Sequence, residues 1–366
     1  TMSVTNTRTS TKTMSVTNTR TSTKTMSVTN TRTSTKTMSV TNTRTLTRTE
    51  TITLTPTTTN TPMVTQTSSP TATHTATPTA TYTATPTATD TATPTATIRA
   101  VVLAAGAFHS LAIRNGVLQG WGRNNYQQVS LPLTVAPIIS IAAANTHSLA
   151  LLSNGTVIGW GRNNNGQLTI PTSVVDVIEI ETGDDHTLAV TRGGQVLAWG
   201  FNGYDQITIP SDLGLVQAVA AGFNHSLALQ RDGTVVAWGD DGAGQSSVPS
   251  GLSDVVAIAA GGNLSLALKR NGTVVAWGAN SAGIAAVPNG LSGVQAIAVG
   301  DSHVLALKND GSVVAWGSNT SGQCNVPATA VNVVAIAAGG RHSLALKNDG
   351  TVVAWGRFQE GQIAVP

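Results

Sequence analysis

Trp-Gly returns at Trp121, Trp160, Trp199, Trp238, Trp277, Trp316 and Trp355, always 39 residues apart, and these are all the tryptophans of the chain. A fixed period of that length marks one supersecondary unit copied along the sequence, a unit that buries its apolar surface only against its neighbours. The 366 residues therefore divide in two. Residues 98–366 carry the copies and are rich in Ala, Val, Gly, Leu and Ile, enough for one folded domain. Residues 1–97 are mostly Thr, Ala, Ser and Pro. They hold too little apolar surface to offset the entropy of ordering, so a disordered Thr/Pro-rich stalk is expected there. TMSVTNTRTSTK stands at 1–12, 13–24 and 25–36, and the later ATxTATPT runs are of the extended, O-glycosylated kind. The stalk favours a place outside the cell or at its surface.

One copy, residues 255–293, breaks into four short apolar runs: Val255–Ala260, Ser265–Lys269, Thr273–Trp277 and Ala285–Val287, the last closed by Pro288. Between the second and third runs stand Asn154-Gly155, Asp232-Gly233, Asn271-Gly272, Asp310-Gly311 and Asp349-Gly350, dipeptides that suit a type I′ hairpin. Each copy thus reads as a four-stranded antiparallel meander. Val274, Val275, Ala276 and Trp277 are apolar on both strand faces, so each sheet needs a neighbour on either side. Seven sheets set radially meet that need, and the expected fold is all-β, a seven-bladed β-propeller of four-stranded blades. The first run has the smallest side chains and suits the crowded axis. The turn density and the missing 3.6-residue period exclude a helical solenoid, and 39 residues is long for one coil of a β-helix. The chain starts on an inner strand and ends on an outer one. Either the ring closes without shared strands, or the blade boundary is shifted.

GGRHSLALKNDGTVVAWG (339–356) followed by GQIAVP (361–366) resembles the regulator-of-chromosome-condensation repeat family, and the likeness runs over 99–366. It implies a seven-bladed propeller. The compact copies are similar to small bacterial members such as the propeller-type β-lactamase inhibitor. They leave no room for the wedge by which the eukaryotic nucleotide-exchange member meets its GTPase, so exchange activity is not implied.

Charge and chemistry narrow the function. The stalk carries 8 Lys/Arg against 2 Asp/Glu, and the remainder 12 against 15, so the pI of 9.2 belongs to the stalk. A slightly acidic folded part argues against nucleic acid. No apolar run is long enough to span a membrane, and the first residues lack the apolar stretch of a secretion signal. Cys324 is the only cysteine, which excludes an internal disulfide or a Cys-based zinc site. No nucleophile triad, carboxylate pair or phosphate loop stands out, so no enzyme, metal or cofactor is expected.

His109, His147, His186, His225, His303 and His342 precede the second strand of six copies; the fifth has Leu264. That same copy has Ile284 where Gln128, Gln167, Gln206, Gln245, Gln323 and Gln362 stand elsewhere. His and Gln are present or absent together, so they are expected to satisfy each other, directly or through one loop, as structural groups, as the tryptophans are structural.

Function is sought where the copies differ. In a meander the first and third loops emerge on one face of the disc. All four phenylalanines, Phe108, Phe201, Phe223 and Phe358, fall in these loops, with Tyr126 and Tyr204 and with Arg123, Arg162, Arg341 and Arg357. Aromatic and Arg side chains anchor interfaces. The ten are the candidate partner-binding residues of a monomeric, non-enzymatic module. A protein is the leading partner; carbohydrate is the alternative, and a purely structural surface protein a third reading.

Overall fold

The computed structural model describes residues 103–114, 116–132, 134 and 136–366, and four short strands nearer the N-terminus. Those four are β1 (Met2–Thr5), β2 (Met14–Thr17), β3 (Met26–Thr29) and β4 (Met38–Thr41), with β1 paired to β3 and β2 to β4, both parallel. The expectation of a disordered stalk over 1–97 otherwise lies outside the described residues.

From residue 103 onward there are seven antiparallel sheets. The first holds β5 (Leu103–Ala105), β6 (His109–Arg114) and β7 (Val117–Gly122). The fifth, in the copy used above, holds Val255–Gly261, Leu264–Lys269 and Val274–Gly278, and Leu266 lies opposite Ala276. Within each sheet the strands lie in chain order from the inside out. The inner strands of all seven line a central channel with a cavity of about 220 Å³. Its wall is built from small side chains such as Ala105, Ala143, Ala220 and Ala259, because seven strands converge there.

The sheets have three strands, not four. The run Ala285–Val287 turns on itself: Ala285 N–H donates to Asn280 Oδ1 (3.0 Å), Ala286 N–H to the Gly283 carbonyl (3.0 Å) and Val287 N–H to the Ala285 carbonyl (3.1 Å). Its backbone donors are met locally, so it adds no rung to the ladder. The segment still fills the outer layer, with Ala285 and Val287 packed on the core. The hairpin differs too. Only the glycine has positive φ (Gly272, 80°), and Gly272 N–H donates to the Lys269 carbonyl at 2.9 Å. A type I′ turn needs positive φ at both central residues. The loop instead spans three residues, with Asn271 Oδ1 capping Thr273 N–H at 3.1 Å.

The core lies between sheets rather than at the centre. Seven apolar clusters each join two neighbouring sheets, and each contains one tryptophan of the later sheet. Leu103, Ala112 and Trp121 of the first sheet pack with Leu344 and Val352 of the last, which closes the ring. Among the described residues no strand is shared at this closure.

A polar relay crosses the same joints. His109 Nε2 meets Ser148 Oγ of the next sheet at 2.9 Å. Ser148 Oγ donates to the Gln128 carbonyl at 2.8 Å, and Trp160 Nε1 donates to the same oxygen at 2.8 Å. The serine proton is committed to that carbonyl, so the serine accepts from the histidine, which fixes the Nε2–H tautomer. The relay repeats at His186–Ser226, His225–Ser265, His303–Ser343 and, across the closure, His342–Ser110. His and Gln side chains therefore do not bond directly. The serine of the following copy and the glutamine's backbone carbonyl connect them, while Gln128 Oε1 braces its own loop through Tyr126 N–H (2.9 Å).

The fifth joint explains the paired loss. Leu264 and Ile284 meet Val304 where the next sheet would carry the serine, all three buried in one cluster. Trp316 keeps its bond, to the Ile284 carbonyl at 2.9 Å, because a backbone acceptor survives any side-chain change. At the second joint neither ring nitrogen of His147 has a hydrogen-bond partner, and Thr187 there donates to the Gln167 carbonyl at 3.0 Å. His147 also belongs to the sheet with Ala144 where the others have glycine. A Cβ at Gly106 would stand 2.5 Å from the His109 ring and 2.1 Å from the Ala144 carbonyl of the next sheet, a space that only glycine leaves open.

This arrangement predicts a rescue. Leu264→His alone buries a polar ring against apolar neighbours and should cost about 1–3 kcal/mol. Adding Ile284→Gln and Val304→Ser should recover most of that loss in thermal unfolding. A triple variant no more stable than the single one contradicts the relay.

Candidate binding face

Backbone hydrogen bonds place the first and third loops together. Arg123 N–H donates to the Phe108 carbonyl (2.9 Å), Arg162 N–H to Thr146 (3.0 Å), Phe201 N–H to Asp185 (2.8 Å) and Arg357 N–H to Arg341 (2.8 Å). The other two sets of loops meet on the opposite face, as where Arg231 N–H donates to the Leu215 carbonyl at 2.9 Å. A register shift early in six inner strands belongs to that opposite side, and there it leaves Val256 and Val334 exposed.

The ten candidate residues share the loop face but form separate groups. The richest spans the ring closure. The Arg123 guanidinium lies 4.0 Å from the centre of the Phe108 ring, and that of Arg357 lies 5.3 Å from it. Stacking of this kind contributes about 0.5–2 kcal/mol. Glu360 ties the group together, accepting from Arg123 Nε (3.1 Å) and Nη2 (2.7 Å). That double hydrogen bond holds the Glu360 carboxyl below its ordinary pKa and raises that of Arg123. Phe358 beside them is 71% exposed. Arg162 lies 5.8 Å from the Tyr126 ring centre, and Phe201 meets Tyr204 edge-on at 6.2 Å. Phe223 stands apart, at the mouth of the channel, with its N–H on the Gly262 carbonyl (2.9 Å).

Acids share that mouth. Burial, then Asp185, raises the Asp184 carboxyl. Asp301 keeps open surface, yet the wall around its carboxyl and then Asp184 hold it up to about 6, against the pull of Arg341. Among the described residues no three His, Cys, Asp or Glu side chains converge as a metal site would require. Cys324 is half-buried, its thiol raised by burial and its Sγ 3.2 Å from the Ser318 carbonyl. No helix among the described residues is long and apolar enough to cross a membrane.

Two residue sets escape a reading of single copies. Glu360 lies 237 residues from Arg123 and becomes its partner only when the ring closes. The relay serines follow the histidine in their own copy but serve the histidine of the copy before. Aligning each copy with its successor would have found them, since Val304 comes one copy after Leu264.

The fold has solved counterparts. Prp20p of Saccharomyces cerevisiae is 22% identical, with a TM-score of 0.57 over 66% of this chain and 81% of its own. The CRINKLY WD40 ectodomain of the Arabidopsis thaliana receptor kinase ACR4 is 19% identical, with a TM-score of 0.59 over 72% of this chain and 98% of its own. The ectodomain of Physcomitrella patens receptor kinase CR4 is 22% identical, with a TM-score of 0.59 over 70% and 73% of the two chains. At such identities the likeness is one of fold. No curated protein matches the sequence. The model of the regulator of chromosome condensation (RCC1) repeat matches residues 138–167, 177–206, 216–245, 255–284, 294–323 and 333–362, and the divergent first sheet completes the ring. By these six repeats the chain belongs to the RCC1 repeat family.

Proposed function

We propose that this propeller is a non-enzymatic binding module that holds a protein partner on its loop face, outside the cell or at its surface. The observation that carries the reading is the gathering of exposed rings on one face: Phe358 at 71%, Tyr204 at 50% and Tyr126 at 47% exposure. Core packing accounts for none of these, because the joints are filled by Trp, Leu, Val and Ala. Four arginines stand among them, three held against aromatic rings and so already ordered before a partner arrives. Yeast Prp20, of the same fold, is known bound to Kap60, which is a property of that protein and a precedent for this one. The compact inhibitors that the copies resemble also act by binding a protein.

Capture experiments with the full chain test the proposal. A partner retained by the wild type should be lost by Tyr126→Ala/Tyr204→Ala/Phe358→Ala, each anchor costing about 2 kcal/mol. It should survive Val256→Ser/Val334→Ser on the opposite face. The reverse pattern places the interface on the wrong side. Binding to a glycan array with no protein retained would replace the protein reading with a carbohydrate one.

A further inference from the structure

A cleft of about 270 Å³ opens on the loop face between the sixth and seventh sheets, lined by Thr320, Ser321, Arg341, Arg357, Phe358 and Gln359. Its two guanidiniums are short of acceptors. Glu360 spends its carboxylate on Arg123 at 2.7 Å and reaches Arg357 only at 4.0 Å. Arg357 Nε is shut away from solvent with no hydrogen-bond partner. Arg341 enters none of the ion pairs within 4.0 Å among the described residues, and Asp301 acts on it only at longer range. The Phe108 ring under Arg357 holds that guanidinium in place.

Among the described residues Arg341 has no carboxylate within 4.0 Å and Arg357 has one only at that limit, so both guanidinium charges are left open to an incoming oxygen. Guanidinium forks match the planar, two-oxygen edge of a carboxylate or phosphoryl group. The hydroxyls of Thr320 and Ser321 supply further donors, and the open Phe358 ring supplies an apolar wall. We propose that this cleft is an oxyanion subsite, taking a carboxylate or phosphoryl group carried by the bound protein. It deepens the reading of the loop face and rests on it only for the source of the group.

Fluorescence anisotropy with the full chain tests it, using a labelled glutamate-rich peptide, a phosphoserine peptide of equal length, and inorganic phosphate as competitor at fixed ionic strength. At least one peptide should bind saturably and be displaced by phosphate. Arg341→Gln, which disturbs no packing, should weaken binding about tenfold, and Arg357→Gln by as much or more. Arg270→Gln, with the same charge change on the opposite face, should leave it intact. Binding of the first peptide alone assigns a carboxylate; of the second alone, a phosphoryl group. If no probe saturates at millimolar concentration, or if Arg270→Gln weakens binding as much as Arg341→Gln, the subsite is overturned. A propeller that binds the probes but captures no protein keeps the subsite and loses the wider reading. One that captures a protein through Tyr204 yet ignores the probes loses only the subsite.

Discussion

Between pH 6.5 and about 4 the propeller should lose stability steeply and unfold near pH 5. Six histidines are wholly buried at the joints. Burial lowers His109, His186 and His342 to about 3, and His147, His225 and His303 to about 4; neighbouring histidines add to the lowering at the first three. The relay gives the chemical reason. At the five relay histidines Nε2 already holds its proton, so the second would go on a buried Nδ1, and His147 has no partner on either ring nitrogen. The unfolded chain takes up these protons near 6.5, whereas the folded one holds them off until about 3–4. The unfolded state thus binds more protons throughout that window. Stability is complete above pH 6.5 and drains as the pH falls.

Six such groups give a slope of roughly 8 kcal/mol per pH unit at full effect, and by pH 5 the sum is about 12 kcal/mol. That is comparable to the whole stability of a typical domain, about 5–15 kcal/mol. Asp301, held up to about 6, and Asp184, also raised by burial, work the other way, two groups against six. Tryptophan fluorescence and circular dichroism across the range, with proton uptake measured on unfolding, check the expectation. A fold that persists at pH 4, or an uptake of one proton or fewer, contradicts it.

The largest effect of a single substitution is expected at a tryptophan. Trp277 is 7% exposed, packs in the cluster between the fourth and fifth sheets, and donates Nε1 to the Gln245 carbonyl at 3.0 Å. Trp277→Ala removes the side chain that fills the joint and should cost about 3–5 kcal/mol. The carbonyl keeps a donor, Ser265 Oγ at 2.7 Å, so it is not orphaned. Trp277→Phe, which keeps most of the volume and loses only the N–H, should cost about 1 kcal/mol for the bond, plus some repacking. Urea unfolding of both variants separates filling from bonding. Equal losses would mean that the bond, not the volume, holds the joint.

The period and the parity of the strands carried most of the architecture into the sequence. Seven Trp-Gly pairs mark seven sheets, the small first run lies on the channel, and counting strands puts the first and third loops on one face. The fourth run reads as a strand because Ala285 and Val287 pack like strand residues; what turns the backbone is the side chain of Asn280, five residues before Ala285. The joint loss of His and Gln was legible, but its cause was not. The link passes through Ser148 to a backbone carbonyl, and a carbonyl leaves no trace in a sequence. The aromatic and arginine content of the loop face was equally plain. Its division into groups was not, since Phe108 and Arg357 meet only across the closure.

That closure uses the bonds of the other joints: His342 to Ser110, Ser110 and Trp121 to the Gln362 carbonyl, and Arg114 to the Pro366 carbonyl. Peptide continuity is therefore dispensable at one joint of the circle, and the order of the sheets is cyclic. No blade is privileged as the first. A gene that gains or loses one 39-residue copy cannot relax the change locally, because every blade subtends a fixed share of the turn. It must recut the angle at all the joints together or leave one of them open.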